Sequence, residues 1–111
     1  MAGVDLVVDA MFGFSFKGPV RGVFKDLIAT INAGSVPILS VDVPSGWDID
    51  NGPIDGCIRT PEAVISLSVP KRCMAMFDGT HLLGGRFLPP QMVEEMKLTL
   101  PYRGAELVVR L

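Results

Sequence analysis

Histidine, tryptophan and tyrosine each occur once in this 111-residue chain, as His81, Trp47 and Tyr102, and cysteine only twice. One histidine leaves little for a zinc centre or a catalytic triad built on imidazole. Cys57 and Cys73 form no C-x-x-C pair, a pattern of reduced intracellular thiols rather than of a disulfide framework. Basic charge is also short: the net charge is -2 and the pI about 5.2, so there is no electrostatic footprint for nucleic acid or an anionic membrane. No apolar run approaches the roughly 18–20 residues of a membrane span, and no charged segment precedes an apolar one at the start. Met1 stands almost directly before a strand pattern, as an internal start would.

What is abundant is apolar residue. Hydrophobic residues make up 49% of the chain and the mean hydropathy is +0.42, which excludes disorder as the default. "VDLVVDA", Val4 to Ala10, reads as a strand ending near Asp9, followed by the glycine-punctuated loop "MFGFSFKGP". From Val20 the apolar positions Val20, Val23, Phe24, Leu27, Ile28 and Ile31 follow the spacing of one helical face, with Pro19 at the first turn and Asn32 and Gly34 at the stop. "VPILSVD", Val36 to Asp42, is the next strand, so the first 42 residues form a strand, crossover helix and parallel strand. "EAVISLSVP", Glu62 to Pro70, reads as a third strand. The rest suggests a short strand near Arg86 to Leu88, a helical turn or two from Pro90 to Met96, and a closing strand around Leu107 to Leu111. Nearly continuous apolar strands of this kind belong to a parallel sheet covered by helices.

Parallel sheets bind ligands beyond the carboxyl ends of their strands, and two of these strands end in aspartate, Asp9 and Asp42. If the strands are neighbours, both carboxylates face one crevice. Asp42 has a plainer reading, since Asp before Pro44-Ser45-Gly46 is good turn chemistry. The loop Gly13 to Pro19, with Lys17, is able to cradle phosphate at a helix start but matches neither G-x-x-x-x-G-K-[ST] nor G-x-G-x-x-G. "DIDNG", Asp48 to Gly52, fails as a calcium loop because its glycine comes too early and Arg59 occupies the twelfth position. Lys71 and Arg72 read as solvated charges after the third strand, with phosphate as the other use. Trp47 is the aromatic placed to stack on a flat ring.

"VVDAMFGFSFKG", "VDVPSGWDIDNG" and "LGGRFLPPQM" together resemble the second half of the YjeF N-terminal domain, the NAD(P)H-hydrate epimerase family. Trp47 after Pro-Ser-Gly and the "GGRFLPP" segment are similar to its eukaryotic branch, also called apolipoprotein A-I-binding protein. The resemblance makes residues 1–111 a partial domain and implies a Rossmann-like α/β/α sandwich with a mainly parallel sheet. It also implies an isomerase that interconverts the R and S forms of hydrated NADH and NADPH (NADHX and NADPHX) for a separate dehydratase.

Carried onto this chain, the family pattern implies potassium ligands at Asp9 and Ser45. Substrate contacts fall at Gly13, Phe14, Ser15, Phe16, Lys17, Gly18 and Pro19, and Asp42 is the substrate-contacting carboxylate and acid/base candidate. Pro19 departs from the family's usual acidic or variable residue there. The family's Asn- and Gly-rich phosphate loop belongs to its other half. Homodimers, mitochondrial, cytosolic and secreted members, and an apolipoprotein A-I partner are known in the family. A non-catalytic binding or scaffold module, of the apolipoprotein or RNA-decapping type, is the alternative the resemblance leaves.

Overall fold

The computed structural model describes residues 3–111, so Met1, read above as an internal start, lies outside the described residues. Five strands form one sheet in the order β1-β2-β3-β4-β5: β1 (Val7–Asp9), β2 (Ile38–Val41), β3 (Ala63–Leu67), β4 (Thr80–Gly84) and β5 (Val109–Arg110). The first four run parallel and β5 closes the sheet antiparallel to β4. Helix α1 (Val23–Asn32) is the crossover from β1 to β2, and α2 (Pro90–Glu95) lies between β4 and β5. This is a Rossmann-like α/β fold.

Register explains where the core lies. Val7 pairs with Ile38, Ser40 with Val64 and Val64 with His81, so these side chains share one face of the sheet. That face is covered in two places. Ile28 and Ile31 of α1 close over Ile38 and Val7 together with Val20 and Ile58. Trp47, Val43 and the 3-10 turn carrying Cys73 and Met74 close over Val64. The opposite face is only half-buried at Leu39, Val41 and Ile65, and Val8 on it is 57% exposed.

Several expectations need correction. No strand forms at Arg86 to Leu88; β4 lies earlier, at Thr80–Gly84, because "THLLG" is the run that can ladder onto β3. Helix α1 begins at Val23 and not at Val20, since Gly22, with φ of 61°, breaks the helical path, and Pro19 stands outside the helix. Of the apolar stripe on α1, Ile28 and Ile31 are buried, whereas Val23 is 73% exposed. Among the described residues Trp47 stacks on no aromatic ring. Its indole is fully buried and its N–H donates to the Ile58 carbonyl at 3.1 Å, the partner a buried indole requires. Cys57 and Cys73 are both free, and burial pushes both thiols above their ordinary range.

Candidate active site

Asp9 ends β1 and is 1% exposed, which for a carboxylate demands donors. It has three. The Ser40 hydroxyl and the Ser45 backbone N–H both donate to Oδ2 at 2.8 Å, and the Ser45 hydroxyl donates to Oδ1. Ser45 Oγ in turn accepts from the Phe12 N–H at 3.0 Å. One buried carboxylate thus ties the loop after β1 to the Pro-Ser-Gly corner after β2. Gly46 completes that corner with φ of 85°, and a β-carbon there would lie 2.9 Å from Cys57 Cα, so only glycine fits.

Asp42 follows β2 and is oriented from two directions. Its Oδ2 accepts the Phe14 N–H at 2.9 Å, which anchors the glycine loop, and its Oδ1 pairs with the Lys71 ammonium. Lys71 also donates to the Leu67 carbonyl at 2.8 Å, and its side chain is only 15% exposed. The expected solvated lysine is therefore a partly buried ion pair. Arg72 does fit that expectation, reaching the exposed Asp50 at 3.6 Å with 86% of its side chain open.

Asp42 and Ser68, at the carboxyl ends of neighbouring parallel strands, both adopt left-handed backbone, with φ of 73° and 65°. Non-glycine residues are rarely held there, and such positions cluster at functional sites. Between them opens a cleft of about 350 Å³ lined by Phe14, Asp42, Leu67, Ser68, Val69, Lys71 and Phe87. A larger cleft of about 850 Å³ continues past Ser68 towards Arg86, Val93, Leu98 and Tyr102. Its Arg86 is already engaged by the carbonyls of Gly104 and Glu106, at 2.8 and 3.1 Å. The smaller cleft holds the Asp42–Lys71 pair.

The glycine loop divides. Gly13 to Phe16 is a turn closed by the Phe16 N–H on the Gly13 carbonyl at 3.0 Å. Phe14, Ser15, Lys17, Gly18 and Pro19 are exposed. The Phe16 ring instead faces inward, stacked on Phe12 with centroids 4.7 Å apart. Lys17 makes no ion pair among the described residues, and α1 begins only at Val23, so loop and helix N-terminus are separated by Val20 to Gly22.

His81 pairs with the buried Ser66 hydroxyl through Nε2 at 2.8 Å, and burial holds its pKa below the usual value. The Asp48 carboxylate accepts from the N–H groups of Asn51 and Asp50, which lower its pKa and make it a turn device. Lys71 is the site residue that the sequence marks only weakly. Its signal was its place just past the third strand, where it lies opposite whatever follows the second.

A parallel sheet with an Asp–Lys pair in a cleft at its carboxyl edge places the chain among the α/β folds, in which ligands generally bind at that edge. The chain belongs to the family described as YjeF-related protein N-terminus, whose model matches residues 1–73. It is 51% identical to an NAD(P)H-hydrate epimerase of Entamoeba histolytica, covering 96% of this chain and 48% of the relative. The relative of the same name from Aedes aegypti is 47% identical, with 96% of this chain and 47% of that protein covered. A yeast protein of known crystal structure superposes with a TM-score of 0.86 at 38% identity, over 96% of this chain and 46% of its own. The chain thus spans about half the length of the relatives it matches. No helix among the described residues is long and apolar enough to cross a membrane.

Proposed function

We propose that this chain carries the catalytic carboxylate of an NAD(P)H-hydrate epimerase, acting on the R and S forms of NADHX and NADPHX. The observation that supports this reading above others is Asp42, a carboxylate in strained backbone, aimed into a cleft by the Phe14 N–H and the Lys71 ammonium. Epimerising the C6 carbon of a hydrated nicotinamide ring requires loss of its hydroxyl as water, leaving a cationic iminium, and return of water to the other face. A carboxylate beside that ring stabilises the cation and takes up the proton that the returning water sheds. At about 4 Å and an effective dielectric near 20, the attraction is about 4 kcal/mol, or roughly a thousandfold in rate if confined to the transition state.

In this reading the exposed part of the glycine loop, Phe14, Ser15, Lys17, Gly18 and Pro19, receives the phosphate portion. Gly13 lets the loop approach Asp42, and Phe16 anchors it to the core. Asp9 and Ser45 fit a potassium ion as hard oxygen donors. Asp9 is a buried carboxylate without a cationic partner among the described residues, and Oδ1 takes only one hydrogen bond. A bound potassium would supply positive charge that fixes the crevice. The products would pass to a dehydratase that accepts the S form.

Asp42→Asn tests the reading: conversion of R to S NADPHX should fall by at least about 100-fold while substrate still binds. Turnover at the unchanged rate would remove Asp42 from the chemistry, whereas a wild type without turnover would favour a non-catalytic binding module.

A further inference from the structure

We propose that Lys71 is the proton donor of the reaction, the acid that complements Asp42; this rests on the epimerase reading above. An ammonium has three N–H donors. Two are occupied, by Asp42 Oδ1 and by the Leu67 carbonyl, and the third has no acceptor among the described residues. The lysine lines the cleft beside Phe14, whose ring centroid is 5.9 Å from Nζ. Its stem is enclosed and its head is held at the carboxylate, so the free N–H is directed by fixed partners rather than by solvent.

The pair divides the chemistry that a single carboxylate would otherwise perform alone. With the ring edge-on to the pair, Lys71 gives a proton to the C6 hydroxyl. The C6–O bond breaks with its electron pair leaving on oxygen as water, and the ring nitrogen lone pair forms the iminium. Water adds to the other face of C6 and its surplus proton passes to Asp42. Lys71 is then a neutral amine and Asp42 a neutral acid, and transfer along their existing hydrogen bond restores both. No oxidant or further reactant is needed.

The sequence position explains why the donor is a lysine of the third strand's loop. β2 and β3 are adjacent and parallel, so the residues just beyond their carboxyl ends meet over one cleft. The left-handed Ser68, with its hydroxyl donating to the Gly85 carbonyl at 3.0 Å, turns the chain after β3 so that Lys71 comes back onto Asp42.

The test is steady-state conversion of R to S NADPHX by the full chain as its cell makes it, comparing wild type with Lys71→Gln, Lys71→Arg and Lys71→Ala. Arginine preserves the ion pair with Asp42 but does not release its proton. The expected result is a fall of about 100-fold in kcat with KM unchanged for both Lys71→Gln and Lys71→Arg, with Lys71→Arg, which keeps the ion pair, melting near the wild type. Added ethylamine should restore part of the turnover of Lys71→Ala. Wild-type turnover in Lys71→Arg, or Lys71→Ala that ignores the amine, would overturn the donor role and leave Lys71 as a group that positions Asp42. An inactive wild type would instead refute the epimerase reading, and the donor with it.

Discussion

Gly13 and Asp42 touch: a β-carbon on Gly13 would lie 3.0 Å from Asp42 Oδ2, closer than side chains normally approach. The carboxylate has little room to yield, because Lys71 holds its other oxygen and the next residue, Phe14, donates its N–H to Oδ2. Glycine at this position therefore serves the close approach of loop to carboxylate.

Gly13→Ala should displace the carboxylate and lower turnover by about tenfold, since small misplacements of a reacting group are costly. Stability should change little, because Gly13 is only half-buried and lies outside every strand and helix. Paired kinetic and thermal-melting measurements check this, and undiminished kcat would show that Asp42 is free to adjust.

Asp9→Ala should destabilise the fold by about 3 kcal/mol, because it strands the Ser40 hydroxyl and the Ser45 N–H and hydroxyl in a buried place. Urea unfolding reads it directly. A loss below about 1 kcal/mol would mean that these groups find other partners on relaxation.

Potassium bound at Asp9 and Ser45 would stabilise the folded state by mass action. Exchanging potassium chloride for tetramethylammonium chloride at equal ionic strength should lower the melting temperature of the wild type but not of Asp9→Ala. Equal melting of the wild type in the two salts would count against the ion.

His81 gives the fold a pH dependence of predictable sign. Burial depresses its folded-state pKa below the unfolded value of about 6.5, so the native state binds fewer protons. Its contribution is fully present above that unfolded value and is lost as pH falls from there through the folded pKa. His81→Gln should flatten the stability curve in this acidic window, as followed by urea midpoints at several pH values. An unchanged slope would place the dependence on other groups.

The apolar runs and their spacing by themselves determined the α/β class, the existence of α1 and the first three strands, because burial of one helix face and of continuous strands leaves a period in the sequence. The two strand-end aspartates marked the carboxyl edge for the same reason: parallel strands all end on one side. Tertiary structure decided what each aspartate does. Asp9 and Asp42 look alike in sequence, yet one is buried under two serines and the other is paired with Lys71 at an open cleft. Trp47 turned inward and Lys71 came out of solvent because the loops after β2 and β3 fold over their own sheet. The contact of Lys71 with Asp42 joins residues 29 positions apart, and local periodicity carries no information about which polar groups burial will force together.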